Sequence, residues 1–528
     1  MSALDNLVIL PVVVPLVAGA GMLLLAGDRQ RRLIAAINLA SVLLLLGIAV
    51  ALVILAGKSD ATINQVYRLG NWPAPFGIVL VLDRLSAVMV LLSAILGLAA
   101  LVFALGRWHR AGAHFHALFQ FLLMGLNGAF LTGDLFNLFV FFELLLAASY
   151  GLVLHGSGLA RVSSGLHYIV VNLVASLLFL IGASLIYGVT GTLNMADLAL
   201  RIAASPAESR GLLEAGAAVL GIAFLLKAGM WPLCFWLPST YAAASPPVAS
   251  VFAIMTKVGV YVVLRLSLLF FGSGASAGFG DSVLLYGGLA TVLFGTIGTL
   301  ASQDMARLAG FSVLVSSGTL LSAVGMGQVG VTAAALFYLV SSTLGIGAFF
   351  LLIELVERGR EPGADMIAVT REAYGGGEDE GEEEVGLAIP ASMGLIWLTF
   401  IGCTLVIAGL PPLSGFIAKF ALLAAVFQGA GSGIGPASWL FIGVLILSGL
   451  TTFVAMTRAG INALWAAPSP VVPRVRVIEM APVVLLLVIC AVQTVQAGPV
   501  MRLMQATAQS LHAPAAYVRG VMGQESGR

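Results

Sequence analysis

The chain has 528 residues, of which 60% are hydrophobic and only 9% charged, with a mean hydropathy of +1.06. Soluble proteins carry roughly 25% charged residues, and a water-facing surface cannot be built from so few. A soluble enzyme, a disordered chain and a nucleic-acid binder are excluded, leaving a polytopic membrane protein whose surface meets lipid. The net charge of +1 says nothing about partners, because so little of the surface meets water. Cys234, Cys403 and Cys490 all lie in apolar runs and imply no disulfide framework.

Fourteen apolar runs are long enough to span the hydrocarbon core. In chain order they cover about 6–26, 32–55, 78–105, 113–132, 134–154, 163–189, 211–243, 247–271, 281–302, 306–327, 329–356, 391–428, 437–465 and 477–499. The first has a polar start (Asp5, Asn6) and no small-residue cleavage site, so it reads as a helix rather than a removed signal. The seventh and twelfth are too long for one straight span and contain Pro232, Pro238, Pro411 and Pro412 among glycines. Proline removes a backbone donor, so both helices should break near mid-membrane. A matched pair of broken segments, each with a lysine, is the pattern of a transporter built from two related halves.

Short loops set the orientation. Arg29, Arg31, Arg32, Arg107, Arg110, Arg161, Arg307, Arg358, Arg360, Arg474 and Arg476 fall on one side, which places both termini outside the cell. Residues 358–386 hold nine of the 24 acids, including the run from Glu378 to Glu384, and read as a solvated cytoplasmic loop. A cation-gathering or partner-docking role for that loop is the alternative.

The lysines carry more information than the total charge. Only four of the 25 basic residues are lysine, and three of them (Lys227, Lys257, Lys419) sit inside apolar runs, while the arginines mostly edge the spans. Arginine keeps its proton in a protein, whereas a buried lysine can exchange one. Glu143, near the middle of the fifth span, is the natural partner for Lys227. Charges at that depth usually mark an ion path; the bland alternatives are a static buried pair fixing helix register and lysines that snorkel to an interface.

Other polar residues are weaker signals. Asp83 and Arg84 read as a local pair or as interface anchors, and Arg265 and Arg458, near span ends, as snorkelling side chains. Asp134 stands at a span boundary, where it either caps the helix or belongs to a relay. His155, at the inner end of the fifth span, is an interfacial histidine or feeds protons toward Glu143. His109, His114 and His116 cluster near a helix start but supply too few ligands for a metal site. No nucleotide loop, redox cysteine pair, nucleophile elbow or haem pattern is present, so neither metal nor cofactor is expected.

Four stretches together are diagnostic. They are Gly133-Asp-Leu-Phe-Asn-Leu-Phe-Val-Phe-Phe-Glu143, Phe224-Leu-Leu-Lys227-Ala-Gly followed by Trp236-Leu-Pro238, Thr256-Lys257-Val-Gly-Val-Tyr261, and Gly409-Leu-Pro-Pro-Leu-Ser-Gly-Phe-Ile-Ala-Lys419. They closely resemble the antiporter-like subunits, a family that includes the proton-pumping membrane subunits of respiratory complex I and the large subunits of Mrp-type cation/proton antiporters. Lysine at 419 and the chain length are most similar to the D-type (PhaD-like) Mrp subunits.

The resemblance implies an all-α fold of fourteen helices with two inverted five-helix repeats, each with a broken helix. On that pattern residues 1–110 are N-terminal helices, 111–275 the first repeat, 276–465 the second, and 466–528 the last helix and tail. It further implies a proton-translocating subunit of a sodium or potassium/proton antiporter in the bacterial inner membrane. Glu143 and Lys227 would form its charge pair, Lys257 its relay lysine and Lys419 its exit lysine. Partners would be a large A-type subunit, small membrane subunits, protons, monovalent cations and lipid, with no nucleic acid. The alternative within the family is a proton-pumping subunit of a redox complex or membrane hydrogenase.

One departure stands out. Many family members carry a histidine and, four residues later, a lysine in the eleventh span. Aligned through Phe350, those positions are Ser342 and Ile346 here. A second-half relay is then expected to use water and the hydroxyls of Ser316, Ser317, Ser341, Ser342 and Thr343, or to be incomplete.

Overall fold

The computed structural model describes residues 5–25, 30–58, 65–112, 114–358, 391–429, 434–465 and 475–523. Apart from Arg358, the acidic segment 358–386 lies outside the described residues. Among the described residues the fold is all-α, with nineteen α-helices and one small hairpin. Helices α1 (Leu10–Leu24), α2 (Arg31–Lys58), α3 (Arg84–Gly106), α4 (Phe115–Leu131), α5 (Leu135–Val153) and α6 (Leu159–Thr190) follow the first six predicted runs.

The seventh run is split into α8 (Ala207–Ala228) and α9 (Trp236–Ala243), after a short α7 (Met195–Ala203). Then come α10 (Pro246–Phe271), α11 (Asp281–Ala301), α12 (Met305–Gly325) and α13 (Val329–Glu357). The twelfth run is split into α14 (Ala391–Ala408) and α15 (Ser414–Gly429). Helices α16 (Pro436–Gly460), α17 (Val477–Val495), α18 (Ala497–Leu511) and α19 (Pro514–Met522) follow. Twelve of the described helices are long and apolar enough to cross a membrane; α1, α4 and α15 are apolar but shorter. With α1 and α4 as crossings, and α9 and α15 as second halves of broken spans, the fourteen predicted runs are all accounted for.

The third run begins differently from the expectation. Val79–Leu82 is a strand, β2, paired antiparallel with β1 (Gln65–Arg68) in the register Gln65↔Leu82. Four buried apolar residues just ahead of a capping aspartate favour an extended segment over another helical turn. Asp83 then caps α3, accepting from the Ser86 backbone N–H at 2.8 Å while Ser86 Oγ faces the Asp83 N–H.

Buried amides repair what the apolar helices leave open. Pro15 lies inside α1 and has no N–H to offer the Pro11 carbonyl, so Asn127 Nδ2 of α4 donates to it at 3.0 Å. One further chain ties α4 to α2. Ser41 Oγ donates to Gln120 Oε1 (3.2 Å), Gln120 Nε2 to Asn38 Oδ1 (2.7 Å), and Asn38 Nδ2 to His116 Nδ1 (2.6 Å). All four residues are buried.

At the arginine-rich end, Trp108 is a hub. Its indole N–H donates to Glu354 at 2.6 Å, while Arg107 and Arg161 lie 5.3 and 5.1 Å from the ring centre. Glu354 also meets Arg107 at 3.1 Å and Arg358, and Arg358 reaches on to Glu479 at 2.9 Å. Arg161 donates to the Ala243 carbonyl at the end of α9 (2.9 Å). The loop after α3 is thereby tied to α6, α9, α13 and α17.

One of the two predicted snorkelling residues behaves otherwise. Arg265 is buried at the end of α10 and pairs with Asp83 at 2.7 Å, so Asp83 faces across the bundle rather than forming a local pair with Arg84. Burying both charges is tolerable because each is paired and the carboxylate is also bonded by a helix N-terminus. Arg458 donates to the carbonyls of Leu300 and Ser302, at 2.6 and 2.8 Å, closing the free end of α11.

Candidate functional site

Both helix breaks are closed in the same way. After α8 the chain turns left-handed at Gly229 (φ 73°), and Met230 N–H bonds back to the Leu225 carbonyl at 2.9 Å. After α14 it turns left-handed at Gly409 (φ 80°), and Leu410 N–H bonds back to Leu405 at 2.9 Å. Glycine accepts that backbone without strain, and the six-residue bond satisfies carbonyls that would otherwise be stranded in an apolar bundle. Pro232 lies in the first break and Pro411 and Pro412 in the second. Pro238 sits in the first turn of α9, where a missing N–H costs nothing.

Lys227 ends α8 two residues before its break; Lys419 lies on the far side of the other break, in α15. Lys419 nevertheless reaches back, donating to the Ala408 carbonyl at the end of α14 (2.8 Å). The Lys419 head group therefore sits at the C-terminal end of a half-helix, where the helix dipole favours positive charge, while Lys227 belongs to the last turn of its own half-helix.

Glu143, Ser176 and Lys227 line one small cavity of about 10 Å³, near the least volume that holds a single water. Phe139, Phe142, Phe179 and Phe224 wall it. The Glu143 carboxylate accepts from Ser176 Oγ, and Lys227 Nζ donates to Asn172 Oδ1 at 2.7 Å. Among the described residues no direct ion pair joins Glu143 to Lys227. Each is instead held by α6, at positions one helical turn apart, and Lys227 Nζ also lies 5.8 Å from the Phe142 ring centre. An acid and a base thus share one cavity while each bonds to a neutral partner.

Lys257 is fully buried one helix further on, in α10. The close approach of α10 to α8 depends on Gly259, where a Cβ would stand 2.6 Å from the Ala228 nitrogen and 2.9 Å from the Phe224 oxygen. Lys257 Nζ donates to Ser316 Oγ at 2.8 Å and is 3.4 Å from Ser317 Oγ. Ser316 Oγ donates to Ser342 Oγ at 2.9 Å. Hydroxyls can both give and accept, so they bond a lysine in either protonation state. On the neighbouring face of α13, Ser341 Oγ meets Ser414 Oγ at 2.7 Å at the start of α15. Thr343 turns back onto its own helix, to the Leu339 carbonyl. The structure thus brings Lys257, Ser316, Ser317 and Ser342 together, and Ser341 with Ser414, without joining either group directly to Lys419.

The remaining candidates sit at the ends of α5. Asp134 caps it, accepting from the Asn137 N–H at 2.8 Å. His155 bonds through Nε2 to the Trp108 carbonyl at 2.8 Å, and burial holds its imidazole below its ordinary value. Among the described residues no group of three His, Cys, Asp or Glu side chains could hold a metal ion. Asn172 and Ser176 were not anticipated. Their signal is two polar residues at helical i, i+4 spacing, in a sixth span that also carries Ser163, Ser164, His167 and Ser184.

The profile of the NADH:quinone oxidoreductase/Mrp antiporter transmembrane family matches residues 132–451, which contain Asp134, Glu143, the three membrane lysines and both breaks. The chain is 60% identical to the probable K(+)/H(+) antiporter D subunit of Rhizobium meliloti (strain 1021), over 98% of both chains. It is 34% identical to the Na(+)/H(+) antiporter D subunit of Alkalihalophilus pseudofirmus, over 88% of this chain and 87% of that one. Among solved structures, a chain of the Mrp complex from Dietzia sp. DQ12-45-1b superimposes with a TM-score of 0.82 at 26% identity, covering 99% of this chain and all of that one.

Proposed function

Because the chain belongs to the NADH:quinone oxidoreductase/Mrp antiporter family, on its D-type branch, we propose that it is a proton-translocating subunit of a multisubunit monovalent cation/proton antiporter. It is a transporter subunit rather than an enzyme. It works in the bacterial inner membrane with its N-terminus outside, alongside a large A-type subunit and small membrane subunits. Two relatives are named for potassium and sodium respectively; potassium, from the 60% identical one, is the first cation to test.

The observation that carries this reading is the cavity at the end of α8, where Glu143 and Lys227 meet without bonding. A proton arriving at Glu143 neutralises the carboxylate and removes its pull on Lys227. Lys227 then keeps Asn172 as partner or passes a proton through water toward Lys257, whose serines accept either form. Lys419, beside the second break, takes the last position in the membrane. Water must bridge Ser342 to the Ser341–Ser414 pair, because the hydroxyl contacts stop there.

The test is cation-driven proton movement in vesicles containing the purified assembly. Glu143→Ala or Lys227→Ala should abolish it while the subunits still assemble. Exchange that survives either change would sink the mechanism.

A further inference from the structure

Lys257, Tyr261 and Arg265 recur every four residues on one face of α10, so a stripe runs from the buried lysine to the end of the bundle away from the arginine-rich loops. Eight residues of helix put the guanidinium about 12 Å beyond Lys257. Tyr261 is fixed by donating to the Phe130 carbonyl at 2.6 Å. Arg265 is pinned to Asp83 at 2.7 Å and lies between two aromatic rings, 5.1 Å from the Tyr261 centre and 5.5 Å from that of Tyr517.

Tyr517 belongs to α19, the last described helix, nine residues long and packed mainly on the short α7. Arg265 and Tyr517 are 5% and 6% exposed, so both polar head groups are buried at this junction.

We propose that Asp83, Arg265 and Tyr517 form a gate that shuts Lys257 off from the bulk phase at this end, with α19 as its removable lid. The inference rests on the reading of Lys257 as a proton carrier. An arginine keeps its positive charge at any working pH, so the contact with Asp83 does not depend on Arg265 titrating. Asp83 makes that charge tolerable in a buried site, and the Tyr261 and Tyr517 rings flank it. Lifting that nine-residue helix would expose Arg265 to water and open the stripe.

The test uses the whole assembly in proteoliposomes with an imposed proton gradient and no cation gradient, so that only leak is read. Tyr517→Ala should raise the leak on the order of tenfold, and adding Lys257→Met should return it to baseline. Tyr517→Phe keeps the ring and should keep the seal. A tight Tyr517→Ala assembly that still exchanges cations overturns the gate, and so does a leak that persists with Lys257→Met. If Tyr517→Ala fails to assemble, the double change Asp83→Asn with Arg265→Gln removes both charges and carries the same expectations. Lys257→Met alone separates the two readings. Cation-driven exchange that survives it sinks Lys257 as a carrier, whereas lost exchange together with a tight Tyr517→Ala variant sinks only the gate.

Discussion

The stretch α4–α10 and the stretch α11–α16 each contain a broken helix closed by a left-handed glycine, yet they are furnished differently. The first places a carboxylate, a lysine and a serine of α6 around one cavity, with Asn172 of the same helix holding the lysine. The second offers a lysine at a helix end and hydroxyls in two separate groups, with no carboxylate beside them among the described residues. A carboxylate has a charge to lose, so removing it removes a state. A serine has none, and its neighbours or a water can replace it. The first stretch should therefore be intolerant of single changes and the second forgiving.

Substitutions can break that comparison, and the largest effect is expected at Glu143. Glu143→Gln keeps the shape and the Ser176 contact but not the titration, and should lower cation-driven exchange by roughly 100-fold or more. Asn172→Leu strips Lys227 of its acceptor; losing a hydrogen bond to a charged group costs about 1.5–3 kcal/mol, so a loss of roughly tenfold or more is expected in the same assay. Gly259→Val should act on the scaffold instead. Overpacking of this kind costs roughly 1–3 kcal/mol, to be read as a lowered melting temperature of the assembly.

Smaller effects test the forgiving half. Ser342→Ala alone should slow exchange only about twofold to threefold, because Ser317 and water can still serve Lys257. Ser316→Ala with Ser342→Ala should exceed the product of the single effects. A single serine change as damaging as Glu143→Gln would erase the distinction between the two stretches. The least effect concerns His155, whose folded value burial lowers from 6.5. Its neutral ring contributes stability that is complete above the unfolded value and is lost as pH falls through the folded one. The drop in melting temperature between neutral and mildly acidic pH should shrink in His155→Gln.

Most of the architecture was readable from hydropathy, since a span needs only length and apolarity. Both breaks were legible because Gly and Pro act locally, at Gly229 and Gly409 as much as at Pro232 and Pro411. Glu143 and the lysines stood out because charge is scarce. Their immediate partners did not: Asn172 and Ser176 are far in sequence from both ends of the pair they serve, and only packing brings them there. Arg265 misled for the opposite reason. Its place near a span end is where arginines usually reach for water, and nothing local reveals Asp83 and Tyr517 beside it. The strand at Val79–Leu82 was hidden inside a run whose hydropathy fits a helix equally well.

The buried chain between α2 and α4 carries a different kind of constraint. Gln120 gives its N–H to Asn38 Oδ1, so Asn38 must present its own N–H to His116 Nδ1, and the ring proton must sit on Nε2. Each end of the chain thus dictates the orientation of the other. Reversing Asn38 alone would set donor against donor at one contact, and the whole file would have to turn together. Four side chains share one hydrogen-bond direction across two helices, and the Asn38 backbone carbonyl, which also accepts from Gln120 Nε2 at 3.4 Å, helps to hold it.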